Sequence, residues 1–436
     1  MLRKGAKRRR DVSSGKSEGR LPAVVFLISC VVLSFLLGIF VTRYRLPPAR
    51  QINEALQQFR DFRQHWRNDL GLEPTRLLVD ASPGRQPLTV HDAGRAYGGL
   101  RVVAGLAPGK GTIHGARLLT LEGRELHFWP VDYSKLDPTG RDPENTFLHG
   151  LMVLRDGSIV VNFDGGAVMA RIDACGEPLW ITEGAFHHLV SPGRNNTVWS
   201  WEGSSMAALD LDSGAVRRSI PLKEGVIFKH GLHWLFGIRT KHSATEYVYL
   251  GDPIHANDVE ELTPELAAAF PQFAVGDLLV SMRSLNLVAV LDGSTHDVKW
   301  WQIGPWHRQH DADFLPDGTI SVFNNNMGFG ASSIVVVDPA SGETRTVFAS
   351  SSDVPFYSWR RGNHQHLGNG NILIVESERG RVFEVTGDGQ IVWEFHNVYD
   401  EDSNGVVNLA VGLDEDYFEP GAPSCEVHSR EPGQGT

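Results

Sequence analysis

Two hydrophobic periodicities divide this chain. Leu21 to Val41 is an uncharged, mostly apolar run, and about 20 helical residues span a bilayer core. Past Pro47-Pro48, which breaks that helix, Ile52, Leu56, Phe59, Phe62, Trp66 and Leu70 recur at three- and four-residue steps and stop at Gly71. That spacing predicts a short amphipathic helix with a C-terminal glycine cap. From about Tyr97 the period falls to two. Short alternating strands follow one another between Gly turns, and a helix is expected only near Pro264 to Phe270.

The strands repeat as a unit. One half is a strand opening on a histidine, an Asp-Gly turn and a second strand, as in His310-Asp-Ala-Asp-Phe-Leu-Pro-Asp317-Gly318-Thr319-Ile-Ser-Val-Phe. His149, with Asp156-Gly157 at the same offset, and His188, in Phe186-His187-His188 with the Thr197-Val-Trp-Ser-Trp strand after it, occupy the same slot. The other half is a strand, an acidic residue, a Gly turn and a strand often ending in an aromatic, as in Asp173 to Trp180, Asp292 to Trp300 and Asp388 to Trp393. Counting a first unit from Gly115 to Trp129 gives six repeats in the span from Tyr97 to Asn397. Repeats of this size, built from short strands, stack to make a shared core and predict a six-bladed β-propeller.

The expected fold is therefore all-β, a six-bladed propeller over 77–400. A basic tail (1–20), a transmembrane helix (21–42) and a helical stalk (47–76) precede it, and a C-terminal tail (401–436) follows. The net charge of −11 hides an asymmetry: eight Lys/Arg fall in the first twenty residues, and the remainder is acidic. An acidic body argues against nucleic-acid binding. The basic flank predicts an uncleaved anchor with the N-terminus in the cytoplasm and the propeller periplasmic or extracellular. Cys30 lies in the apolar run. Cys175 and Cys425 are the two candidates for a disulfide, and no Cys-x-x-Cys metal pattern exists. Asn195-Asn196-Thr197 fits a glycosylation sequon.

In a propeller the innermost strand of each blade lines the central channel, so one slot repeated in several blades gathers histidines around one pocket. His255, in Ile254-His255-Ala256-Asn257-Asp258, opens its unit, and an insertion at about 263–274 delays the partner strand that leads to Arg283. In the last unit Gly362 takes the slot, with His364 and His366 on the same face by alternation. His114 sits one residue off. Such histidines also serve to bond a neighbouring blade's backbone or to hold a metal, and the metal reading includes a lactonase-type propeller.

The repeats resemble those of the bacterial aryl sulfate sulfotransferase family, the PAPS-independent arylsulfotransferases. The resemblance rests on His255-Ala-Asn257-Asp258 with Ser281-Met-Arg283, on Gln309-His310 with its Leu-Pro-Asp-Gly turn and Asn324-Asn325 strand end, on Phe186-His187-His188, and on the closing repeat from Leu367 to Phe395. It implies transfer of a sulfuryl group from an aryl sulfate donor to a phenolic acceptor, with His310 as nucleophile passing through a sulfohistidine. Arg283, His255 and His188 would meet the developing charge, and the clustered cations would keep His310 neutral. Asn257, His149, His366 and His364 are the expected substrate-binding residues. No metal, nucleotide or redox cofactor is implied. The rival expectation is a non-catalytic propeller that binds a protein partner or anionic ligand at the channel mouth. Asp311 and Asp313, beside the nucleophile, would repel sulfate if they faced inward; alternation turns Asp311 away and leaves Asp313 open.

Overall fold

The computed structural model describes residues 20–43, 58–59, 62–63, 66–140, 142–236, 239–240, 247–248 and 254–425. They fall into two compact units, 1–76 and 77–436. In the first, Arg20–Arg43 is a single helix (α1), and its stretch Pro22–Val41, mean hydropathy 3.0, is long and apolar enough to cross a membrane. The expected stalk is helical where it is described, at 58–59, 62–63 and 66–69; the rest of it lies outside the described residues.

The second unit contains six antiparallel sheets of four or five strands, the blades of the expected propeller, numbered I to VI along the chain from the sheet that holds Leu100–Leu106. Blade V shows the plan. Its strands His310–Phe314, Ile320–Asn324, Ser333–Val337 and Thr344–Ala349 pair in chain order. The first turn is written in Asp317-Gly318. The Asp317 carboxylate accepts the Thr319 N–H (3.0 Å) and hydroxyl (2.6 Å), and Gly318 takes φ +85°, where other residues are strained.

Burial across a blade explains the sequence pattern. The second and third strands are covered on both faces by neighbouring blades and are uniformly buried and almost wholly apolar, as in Leu278–Met282, where Ser281 is the exception, and Leu287–Leu291. The outermost strand keeps one wet face, so Val298–Ile303 alternates. Leu279, Val288 and Val290 of blade IV pack on Ala312, Val322 and Val335 of blade V. Each large apolar side chain buried this way contributes about 1.5–3 kcal/mol. The recurrent outer-strand tryptophans span the seams. The indole N–H of Trp129 donates to Gly157 O, that of Trp180 to Leu211 O and that of Trp393 to Leu121 O, each a turn of the next blade. The ring thus asks for an aromatic with a donor at this position.

Two boundaries differ from the sequence-based expectation. Val407–Leu413, placed in the tail, is the innermost strand of blade I and pairs with Leu100–Leu106. The first repeat therefore takes its inner strand from the far end of the chain, and His114 stands two strands out from it. Buried there, its Nε2 pairs with Thr146 O at 2.5 Å, and burial pushes its pKa down to about 4. The pairing was hidden because it joins segments some three hundred residues apart, which no local pattern encodes. Leu88–Val90 also adds a fifth, outermost strand to blade VI, against Ile391–His396. Cys175, in the last turn of blade II, is disulfide-bonded to Cys425.

Candidate active site

The inner strands touch one another around the channel. Five of the six carry a register shift near their first residues: between Val407 and Leu409, Leu148 and Leu151, His187 and Ser191, Ala256 and Asp258, and His310 and Ala312. A bulge re-aims a side chain and ends regular pairing. Its signature is the positive φ of His188 (63°), His255 (48°) and Asp311 (50°). Strict alternation therefore fails at this level, and the slot histidines are turned toward one another.

His149 and His188 lie 4.2 Å apart by ring centre, His188 and His255 5.2 Å, and His188 and His310 6.3 Å. Arg283 Nη1 donates to His255 Nε2 at 3.0 Å. The insertion between these two residues folds out as a hairpin loop with the short helix Pro264–Ala267. The strands on either side still pair, Ala256 with Met282, so the ends meet. Asn257 Nδ2 donates to Gln309 O (2.8 Å) and its buried Oδ1 has no hydrogen-bond partner. Of the eight site residues named from sequence, six are brought together here: His149, His188, His255, Asn257, Arg283 and His310.

Hydrogen bonds assign the ring protons. Asn325 Nδ2 donates to the backbone carbonyls of Ser358 and Arg361, both at 2.7 Å, so its Oδ1 must face His310 Nδ1, also at 2.7 Å. His310 therefore carries its proton on Nδ1 and keeps Nε2 as a lone pair. The His188 N–H donates to His149 Nδ1 (3.0 Å), which puts the proton of a neutral His149 on Nε2. His187 Nε2 lies 2.9 Å from Gly203 O, and its Nδ1 is 2.5 Å from His188 Nδ1. With all rings neutral, His187 donates to Gly203, His188 donates to His187, and His188 Nε2 is left as an acceptor. Burial, followed by Asn325-opposed repulsion from Arg283 and His255, holds His310 down at about 3. Burial and the neighbouring cationic groups hold His149 and His188 well below the usual imidazole range. Desolvation thus leads, and the clustered cations expected to keep His310 neutral come second.

Two cavities meet this cluster. A small one of about 30 Å³ lies among His149, His188, His310, Asn257, Arg361 and Asn408. A cleft of about 540 Å³ opens beside it, with Phe186, Trp201, Leu222 and Ile254 as apolar walls, His187, His188 and His255 along one side, and Asp164 and Lys223 also lining it. Arg361 and Asn408 escaped the sequence reading, and Asn325 was singled out there without a role. Arg361 packs its guanidinium 3.9 Å from the centre of the Phe147 ring; burial lowers its pKa to about 10, so it stays charged. Its signal was its place directly before Gly362, the slot of the last repeat. Asn408 arrives on the closing strand, and its Nδ2 is buried without a partner.

His364 and His366 are not at the small cavity. Alternation keeps them on the slot's face, but each residue of strand advances about 3.3 Å, so they stand further along the channel. His364 Nδ1 is 2.6 Å from Asp311 Oδ2, and both rings bond Ser321 Oγ, His364 at 2.5 Å and His366 at 3.0 Å. Asp311 and Asp313 face this second level, and neither lines the cavity beside His310.

The family model described as Arylsulfotransferase (ASST) matches residues 235–398. That stretch, just over a third of the chain, is arylsulfotransferase-like. The matched stretch holds His255, Asn257, Arg283, His310, His364 and His366, while His149, His188 and Asn408 join the cluster from outside it. No curated protein matches the chain. A protein of unknown function from Bacteroides caccae is 11% identical, with 72% of this chain and 98% of that one covered and a TM-score of 0.47. Virginiamycin B lyase from Staphylococcus aureus is 12% identical, with 58% and 71% covered and a TM-score of 0.35. The WD40 propeller domain of Doa1 is 11% identical, with 73% and 84% covered and a TM-score of 0.39.

Proposed function

We propose that this arylsulfotransferase-family protein moves a sulfuryl group between phenols through a sulfohistidine at His310, from a propeller held at a membrane by α1. The observation that carries the reading is the lock between Asn325 Oδ1 and His310 Nδ1, which reserves Nε2 as a neutral nucleophile. Nε2 attacks sulfur of the aryl sulfate as the sulfur–oxygen bond to the phenolate breaks. In the second half the acceptor hydroxyl yields its proton, its oxygen attacks sulfur, and the nitrogen–sulfur bond breaks to restore His310. Across the cycle one proton passes from the acceptor hydroxyl to the leaving phenolate. His188 Nε2, an acceptor in the neutral cluster, suits that transfer.

Charge on the three sulfuryl oxygens needs fixed donors. Arg283, Arg361, His149 Nε2–H and the unpartnered Asn408 amide supply them. The apolar cleft beside the cluster fits the aryl ring. The basic residues before α1 favour the N-terminus in the cytoplasm and the propeller on the other side.

The test is nitrophenolate release from 4-nitrophenyl sulfate by the full chain in detergent, with phenol as acceptor. Acceptor-dependent release is expected, falling roughly 10³-fold or more in His310→Asn. Release that survives the substitution overturns His310 as nucleophile. No release by the folded protein with several phenols favours instead a propeller that binds an anionic ligand or partner at the same mouth.

A further inference from the structure

One step along the channel from the slot, three neighbouring inner strands each offer a pair of ligand-type side chains two residues apart. They are Asp258 and Glu260 in blade IV, Asp311 and Asp313 in blade V, and His364 and His366 in blade VI. Three of the carboxylates cap the free edge of the next strand. Asp258 Oδ2 accepts the Ala312 N–H and Glu260 Oε2 the Phe314 N–H, both at 2.8 Å, and Asp311 Oδ2 accepts the His364 N–H at 2.5 Å. Edge capping occupies one oxygen of each. It does not account for the Asp313 carboxylate, which is one-third exposed (34%) and makes no side-chain hydrogen bond among the described residues. No Lys or Arg forms an ion pair with any of the four among the described residues. Carboxylates gathered out of water without a cation are costly.

We propose that Asp311, Asp313 and His364 hold a divalent transition-metal ion such as Mn²⁺ or Zn²⁺ in the channel. One ligand atom from each lies within 4.8 Å of the others; His364 Nδ1 is 2.6 Å from Asp311 Oδ2 and 3.9 Å from Asp313 Oδ2. Ligands about 2.1 Å from an ion and at right angles to one another sit about 3.0 Å apart, so the three close on a common centre when the Asp311 pair opens by a few tenths of an ångström and the Asp313 carboxylate moves in by about 1 Å. A mixed imidazole and carboxylate set suits Mn²⁺, Fe²⁺ or Zn²⁺. The far side of the His364 ring is already oriented, because Nε2 bonds Ser321 Oγ and Ser321 bonds His366, the kind of outer contact that aims a metal-ligating histidine. Asp258 and Glu260 add negative charge from the adjacent blade. The ion joins blades V and VI and offsets the negative charge gathered at this second level. This inference stands on the cluster's own geometry and does not depend on the sulfuryl-transfer reading.

The test uses the full chain in detergent, stripped with EDTA, dialysed and incubated with Mn²⁺, Zn²⁺ or Ca²⁺. Metal is counted after desalting and melting is followed by intrinsic fluorescence. Roughly one Mn²⁺ or Zn²⁺ per chain and a raised Tm are expected, with Ca²⁺ weaker. Asp313→Asn, which breaks no hydrogen bond, should keep the metal-free Tm and lose both effects, and His364→Gln should lose them too. Wild-type protein that retains none of the three metals overturns the proposal, whatever the variants do. So does an Asp313→Asn protein that binds as the wild type does.

Discussion

The channel of this propeller has two levels built from the same strands, and they are chemical opposites. At the strand starts stand His149, His188, His255 and His310 with Arg283 and Arg361, a neutral-to-cationic cluster beside a small cavity. A residue or three further on stand Asp258, Glu260, Asp311 and Asp313, answered only by His364 and His366. What separates the levels is the bulge at the head of the inner strands. In blade V it sits between His310 and Ala312, sending His310 to one level and Asp311 to the other. Two adjacent residues of opposite character serve different pockets because the backbone turns between them. The worry that Asp311 and Asp313 would repel a sulfate is met in this way rather than by distance along the chain.

The sharpest way to break the comparison is Arg283. Removing one preorganised donor for developing charge costs about 10²–10³ in turnover. Arg283→Ala should therefore lower kcat for nitrophenyl sulfate by about that factor while the metal content stays as in wild type. An equal loss of turnover from Asp313→Asn, with the protein folded, would mean that the two levels act as one site.

A smaller effect is expected at Asn325, which orients His310 without being at the reacting atoms. Outer contacts of this kind are worth about 10–100-fold. Asn325→Leu should lose activity in that range, and Asn325→Gln, which keeps an amide oxygen, should recover part of it. If Asn325→Leu is fully active, the assignment of the Nε2 lone pair fails.

The smallest effect is in stability. His149 and His188 are held well below their ordinary value of 6.5 by burial first, then by neighbouring charges. The unfolded chain therefore binds more protons than the folded one below pH 6.5, so stability falls as pH drops through that value. Each group contributes a slope of up to about 1.4 kcal/mol per pH unit. Denaturation of His149→Asn between pH 7 and 5 should show a shallower decline than wild type. Parallel curves would mean that His149 is not buried neutral.

Much of this molecule was legible in the sequence wherever structure repeats locally. Asp-Gly turns, period-two strands and the outer tryptophans announce blades, and a histidine at a constant offset announces the slot. What escaped is what crosses between repeats. Arg361 enters from the segment linking blades V and VI and Asn408 from a strand that closes the first blade, while Asn325, visible at its strand end, gained its role only from the contact with His310. His364 and His366 were placed on the right face at the wrong depth, because alternation fixes a face and says nothing of how far along the channel a residue lies.

The closing strand has a consequence for biogenesis. Until Val407–Leu413 has left the ribosome, Leu100–Leu106 exposes a bare sheet edge, a template for pairing with another chain. Over the same interval the pocket lacks Asn408 and one of its six walls. The nascent protein is thus adhesive, and its pocket incomplete, until that strand is made. The Cys175–Cys425 bond, formed by a cysteine beyond that strand, seals a ring whose two ends have already met.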